Sequence, residues 1–165
     1  MSHKPIISLI GPSVRTHMWS RIYYSLASNQ TPFEVIFVGP NKGDFELPGN
    51  FHHIETNVKP AQCCHIAILH AQGEYILSSG DDTCYNDYAL DYLYNSIKDQ
   101  TNYCFAAPVG NWFCYDMEDG SIIKSRKGRL KHMYMFGQKG ERYQEQKKFC
   151  PILPHSGIFL RREQY

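Results

Sequence analysis

Three short apolar runs, Ile6 to Ile10, Phe33 to Val38 and Tyr75 to Ser78, show no regular alternation of apolar and polar residues. A strand with one wet face alternates, so such runs demand cover on both faces and point to neighbouring parallel strands between helical layers. Breakers follow each run: Gly11-Pro12, Gly39-Pro40-Asn41 and Gly80-Asp81-Asp82. Between the first two runs, Ser13 to Thr16 can cap a helix in which Trp19, Ile22, Tyr23 and Leu26 fall at helical spacing, with Arg15 and Arg21 nearer the surface. Strand, helix and strand in this order make a βαβ unit, whose crossover is right-handed. The expected fold is α/β: a three-layer, Rossmann-like sandwich on a mostly parallel sheet. With 165 residues and 42% hydrophobic content, the chain suits one such domain spanning residues 1–165.

Further elements follow the same logic. His53 to Glu55 reads as a third strand, and Pro60 suits the first turn of a helix running to about Ala71 and closed by Gly73. His65 and His70 on that helix stand five apart, which does not place two metal ligands on one face. Asn86 or Asp87 can cap a helix carrying Leu90, Leu93, Tyr94 and Ile97. Tyr103 to Ala107 is a further strand, and Glu118-Asp119-Gly120 predicts a hairpin between Trp112 to Met117 and Ser121 to Ser125. Lys124 to Lys148 is basic and weakly periodic, a surface loop able to cover an anionic substrate. Ser156 to Leu160 reads as a strand and Arg161 to Tyr165 as the first turn of a helix, which cannot hold itself and implies a missing carboxy-terminal part.

Several function classes are disfavoured. A formal charge of +1 supplies no field for nucleic acid. No apolar run reaches the ~20 residues of a membrane span, and no signal-peptide pattern opens the chain, so a cytoplasmic location is expected. Six cysteines occur without a C-x-x-C pair, as small hydrophobes rather than zinc ligands. Asn29-Gln30-Thr31 fits a glycosylation sequon, which means little without a secretion signal.

Asp81 and Asp82 follow a buried strand, where an α/β sheet opens onto its ligand crevice. Adjacent carboxylates with no basic neighbour repel unless a cation joins them, so a divalent metal is one reading. The other makes them turn residues capping the next helix.

Taken in order, these pieces resemble the amino-terminal portion of a family 2 glycosyltransferase with the GT-A fold. The resemblance rests on Ile6 to Arg15, Phe33 to Val38, Asn57 to Ala71 leading into Gly73-Glu74-Tyr75-Ile76, the acids after it, and Ser156 to Glu163. It implies transfer of a sugar from a nucleotide-diphosphate donor to an acceptor hydroxyl of a glycan, lipid or protein, metal-dependent and inverting. By the family's pattern Pro12, Ser13, Arg15, Asn41 and Asp81 would contact the nucleotide sugar, and Asp82 would hold Mn2+ or Mg2+ on the diphosphate. This chain departs from the pattern at Gly80, where the family's first motif aspartate falls, at Gly39-Pro40, in place of the acid that reads the nucleobase, and at Cys64-His65, in place of an Arg-Asn pair. The family's general base would lie beyond Tyr165; within the chain, His155 and Asp116 are the candidates. The alternative is a non-catalytic nucleotide-sugar binding module. A Gly-Asp-Asp polymerase hairpin is a remote third, because it needs a returning strand where Asn86 to Asp99 has a helical pattern.

Overall fold

The computed structural model describes residues 4–99, 105–106, 114–115, 122–123 and 159–164. Its main sheet has six strands in the order β3-β2-β1-β4-β8-β5. These are β1 (Ile7–Pro12), β2 (Phe33–Gly39), β3 (Phe51–Glu55), β4 (Tyr75–Ser78), β5 (Phe105–Ala106) and β8 (Phe159–Arg161). The pairs β1–β2, β1–β4 and β2–β3 are parallel, as the apolar runs predict. The strand expected from Ser156 to Leu160 is β8, and it runs antiparallel between β4 and β5. Nothing in its own sequence encodes that direction, which is set by where the chain returns. Separately, β6 (Cys114–Tyr115) and β7 (Ile122–Ile123) pair antiparallel, as expected of the hairpin. Its turn, Asp116 and the segment Lys124 to Lys148 lie outside the described residues.

Side chains leave the strands on alternate faces, and both faces are covered. Ile7, Leu9, Val35, Phe37, Tyr75 and Leu77 pack with Trp19 and Ile22 of α1 (Trp19–Ser25) and with Leu90, Leu93 and Ile97 of α3 (Ala89–Ile97). Ile10, Ile36, Val38 and Ile76 pack on the other face against Cys63 and Ala67 of α2 (Pro60–His70). The three layers are therefore present. Trp19, Phe37 and Tyr75 are among the largest fully buried side chains, each worth ~2–3 kcal/mol of apolar burial.

One polar pair interrupts the α2 face. Ser8 and Glu34 are register partners on β1 and β2, and the Ser8 hydroxyl donates to Glu34 Oε1 at 2.6 Å. The N–H groups of Gln72 and Gly73 donate to the same carboxylate oxygen, so this buried acid anchors the turn between α2 and β4. Gly73 was expected as the glycine closing α2, but Ala71 is the C-cap. Gly73 instead supplies space: a Cβ there would lie 2.6 Å from the Ser8 nitrogen.

Helix starts differ most from expectation. Neither Asn86 nor Asp87 caps α3; Tyr88 does, at φ 60°, without a side-chain hydrogen bond. The left-handed region costs a non-glycine residue ~1–2 kcal/mol. The free amides of α3 are met from the loop before β2, where Asn29 Oδ1 accepts the Leu90 N–H at 2.8 Å. In return Asp91 accepts the N–H groups of Gln30 and Thr31 and the Thr31 hydroxyl. Burial opposes charge on Asp91, but the Thr31 hydroxyl and the two amides outweigh it and hold the carboxyl below its ordinary range. The sequon residues thus tie α1 and β2 to α3. Asn29→Ala should cost ~1 kcal/mol, a cap's worth, in urea unfolding. A change below ~0.3 kcal/mol would show that the cap contributes nothing.

Candidate functional site

From β1 the chain moves outward to β2 and β3, then returns to place β4 on the other side of β1. This divergence is a topological switch point, and the loops after β1 and β4 meet at the strands' carboxyl ends, where open α/β sheets bind ligands. The β1 loop is held tightly there. Ser13 N–H donates to Val38 O at 2.9 Å, and Ser79 N–H donates to Ile10 O at 2.8 Å. Gly11-Pro12, expected to stop the first strand, instead continues it, with Gly11 opposite Phe37 and Pro12 opposite Val38. A Cβ on Gly11 would lie 2.0 Å from Ser79 O, and one on Gly39 1.7 Å from Ser13 O. Glycine at both positions lets the backbones close on either side of the loop.

Asp81 is 3% exposed, and its carboxylate fills a nest of donors from that loop. Oδ2 accepts the N–H groups of Val14 and Arg15, both at 2.6 Å, and the Ser13 hydroxyl at 3.1 Å. Oδ1 accepts the Arg15 guanidinium at 2.7 Å. The indole N–H of Trp19 donates to Ser13 Oγ at 2.7 Å and orients that hydroxyl towards the acid. Asp82 is the opposite case: its side chain is 54% exposed, and it pairs with Arg15 at 3.4 Å. The hydrogen bond to Asp81 and then the charge of Asp82 raise the Arg15 pKa above its ordinary value.

The absence of a basic neighbour, true of the sequence around the two acids, is corrected by the fold. Arg15 arrives from 66 residues earlier and answers both carboxylates. The helix-cap reading is corrected as well, because the acids lie in a turn well ahead of α3 and Asn29 meets that helix's amides. Pro12, Ser13, Arg15, Asp81 and Asp82 come together at this edge, with Asn41 exposed on the loop after β2. His155 and Asp116 lie outside the described residues.

The arrangement suits a divalent ion in one respect. Asp81 has spent its oxygens on N–H and O–H donors, leaving Asp82 as the available carboxylate of the pair. Mg2+ and Mn2+ accept such a site, since one or two carboxylates, water and substrate phosphate complete their shells. Among the described residues no group of three or more His, Cys, Asp and Glu is placed to hold a metal by itself.

Sequence reasoning missed the residues behind this edge. His53 Nε2 lies 3.2 Å from Gly39 O, and its ring centroid is 4.9 Å from that of Trp19. The Tyr85 hydroxyl donates to Ser79 Oγ at 2.7 Å, and burial pushes its pKa up. No local motif announces these contacts, although a tryptophan shortly after a strand-ending loop was already assigned to the core. Burial likewise pushes the thiols of Cys63, Cys64 and Cys84 up, so all three stay protonated at neutral pH. No helix among the described residues is long and apolar enough to cross a membrane.

The fold is an α/β sheet whose switch point carries a loop latched by Asp81 and, beside it, the exposed carboxylate of Asp82. No family model matches the sequence, and no curated protein is significantly similar to it. Among solved structures, the chain is similar to S. aureus TarS, residues 1–349, at 20% identity and a TM-score of 0.45 over 56% of this chain and 32% of that one. The corresponding values for S. aureus TarS in complex with UDP are 19% identity, a TM-score of 0.44, and 56% and 32% coverage. The chain spans about a third of the length of these TarS chains.

Proposed function

We propose that this chain is the donor-binding domain of a glycosyltransferase that uses a nucleoside-diphosphate sugar, inverting the sugar configuration and depending on Mn2+ or Mg2+. The observation that carries the reading is Asp82, a half-exposed carboxylate held at the switch point beside a loop that Asp81 locks. Nucleotides bind at this place in open α/β sheets. Asp82 would hold the ion, which when bound supplies positive charge against the departing diphosphate. Pro12 and Ser13 shape the wall between the nucleotide and the sheet. Arg15 offers the remainder of its guanidinium to phosphate, and Asn41 is the polar side chain after β2 nearest the place of a nucleobase. In an inverting transfer a base takes the acceptor's hydroxyl proton, the oxygen bonds to the anomeric carbon, and the bond to the diphosphate breaks.

Titration calorimetry with UDP, with and without Mn2+, tests this. Asp82→Ala should weaken Mn2+-dependent binding about tenfold or more, while changing stability by less than ~0.5 kcal/mol, as expected of an exposed side chain. Equal affinity with and without the ion, or an unchanged Asp82→Ala variant, would sink the metal assignment. A second reading, a non-catalytic binding module, is favoured by Gly80 standing where the family's first acid falls and by Arg15 already pairing with Asp82. Sugar transfer to a supplied acceptor decides between the two.

A further inference from the structure

A cleft opens at the other edge of the sheet. It has a volume of about 450 Å³ and is bounded by Gln30 and Thr31, which precede β2, by Tyr88 at the start of α3, and by Asp91, Tyr92, Tyr94 and Asn95 along that helix. That volume falls in the lower part of the roughly 300–1,000 Å³ range of small-molecule sites. Residues 30 and 31 lead into the amino end of β2, so this cleft is distinct from the site at Asp82.

Two features set it apart from ordinary surface. First, it displays aromatic rings to solvent: Tyr88 is 48% exposed and Tyr92 73%. Tyr88 is the only non-glycine residue at positive φ among the described residues, a conformation that glycine or asparagine would adopt at lower cost. The chain therefore keeps a large amphipathic ring at a position where sterics favour a small residue. Second, the polar groups around the rings are neutral or already engaged. Asp91 has its carboxylate committed to Gln30 and Thr31, and the nearby Lys98 ammonium lies over the ring of Tyr94, 5.8 Å from its centroid. Gln30 and Asn95 are exposed and leave their side-chain amides free of partners among the described residues. Each amide offers one acceptor and two donors in a plane.

We propose that this cleft is a binding site for a neutral carbohydrate. A pyranose ring presents apolar C–H faces, which an exposed tyrosine ring covers, and hydroxyls at its rim, which side-chain amides pair in both directions. A cationic ligand finds Asp91 spent, and the cation beside the cleft, Lys98, is turned onto the Tyr94 ring. Binding is weak and reversible, as a shallow open cleft with a few hydrogen bonds dictates.

Saturation-transfer NMR on the whole chain tests this, with maltose, cellobiose and diacetylchitobiose as probes. At least one should receive saturation, strongest at its ring C–H protons. Tyr92→Ala should reduce the effect about fivefold or more, and Asn95→Ala should reduce it as well. Both side chains are exposed, so the fold survives; unchanged UDP affinity in these variants would place the effect outside the nucleotide site. No transfer to any of the sugars up to about 20 mM, or transfer undiminished by Tyr92→Ala, would overturn the proposal.

Discussion

Gly39→Ala should destabilise the domain by about 4 kcal/mol, at the upper end of what a single added methyl does. The added Cβ would fall 1.7 Å from Ser13 O and 2.8 Å from the Ser13 carbonyl carbon. Those are backbone atoms, which cannot rotate aside as the tip of a side chain can. Relief requires the loop after β1 to move away from β2, and that breaks the Ser13 N–H bond to Val38 O. It also withdraws Ser13 from Asp81 and from the Trp19 indole. Gly49→Ala is the control: a Cβ there meets nothing within 4 Å, and the change should be neutral or stabilising by up to ~0.5 kcal/mol. Urea unfolding of both variants checks the pair. Equal stabilities would mean that the close approach at Gly39 relaxes freely.

The second large effect separates the two acids. Asp81→Ala should cost about 3 kcal/mol, because it strands the Val14 and Arg15 amides and the Ser13 hydroxyl inside a packed loop and removes a partner of Arg15. Asp82→Ala, with one longer ion pair to an exposed arginine, should cost a small fraction of that. The expected pattern is a crossing: loss of Asp81 shows first in unfolding, loss of Asp82 first in Mn2+-dependent UDP binding. If Asp81→Ala folds as well as wild type, Asp81 is not the latch of the loop, and the assignment of positioning to one acid and ligation to the other fails.

The legible parts of this protein are those written in apolar spacing. Ile7, Leu9 and Ile10, or Val35 to Val38, demand burial on both faces wherever they lie, so parallel strands and flanking helices follow from the chain alone. The helix stripes of Trp19, Ile22 and Leu26 and of Leu90, Leu93 and Ile97 were legible for the same reason. The placement of the two acids was legible too, because residues after a buried strand fall at the sheet's carboxyl edge. The GT-A resemblance added names for the residues at that edge.

What remained hidden depends on groups distant in sequence that meet only when the sheet forms. Asp81 and Asp82 look equivalent in a string of letters; their burial, 3% for one and half-exposure for the other's side chain, is decided by where the β1 loop docks. Arg15 becomes their counter-ion, and Asn29 the acceptor for the first free amides of α3, by the same long-range closure. Gly39 reads as a strand breaker and is a contact point between two backbones. The sequence by itself determined the layers, the parallel core and the acids at its edge, because burial and spacing are properties of each segment alone. Tertiary structure decided which acid is a latch and which faces solvent, which way β8 runs, and what caps α3, because a hydrogen bond between distant residues has no local signature until the backbone brings donor and acceptor within reach.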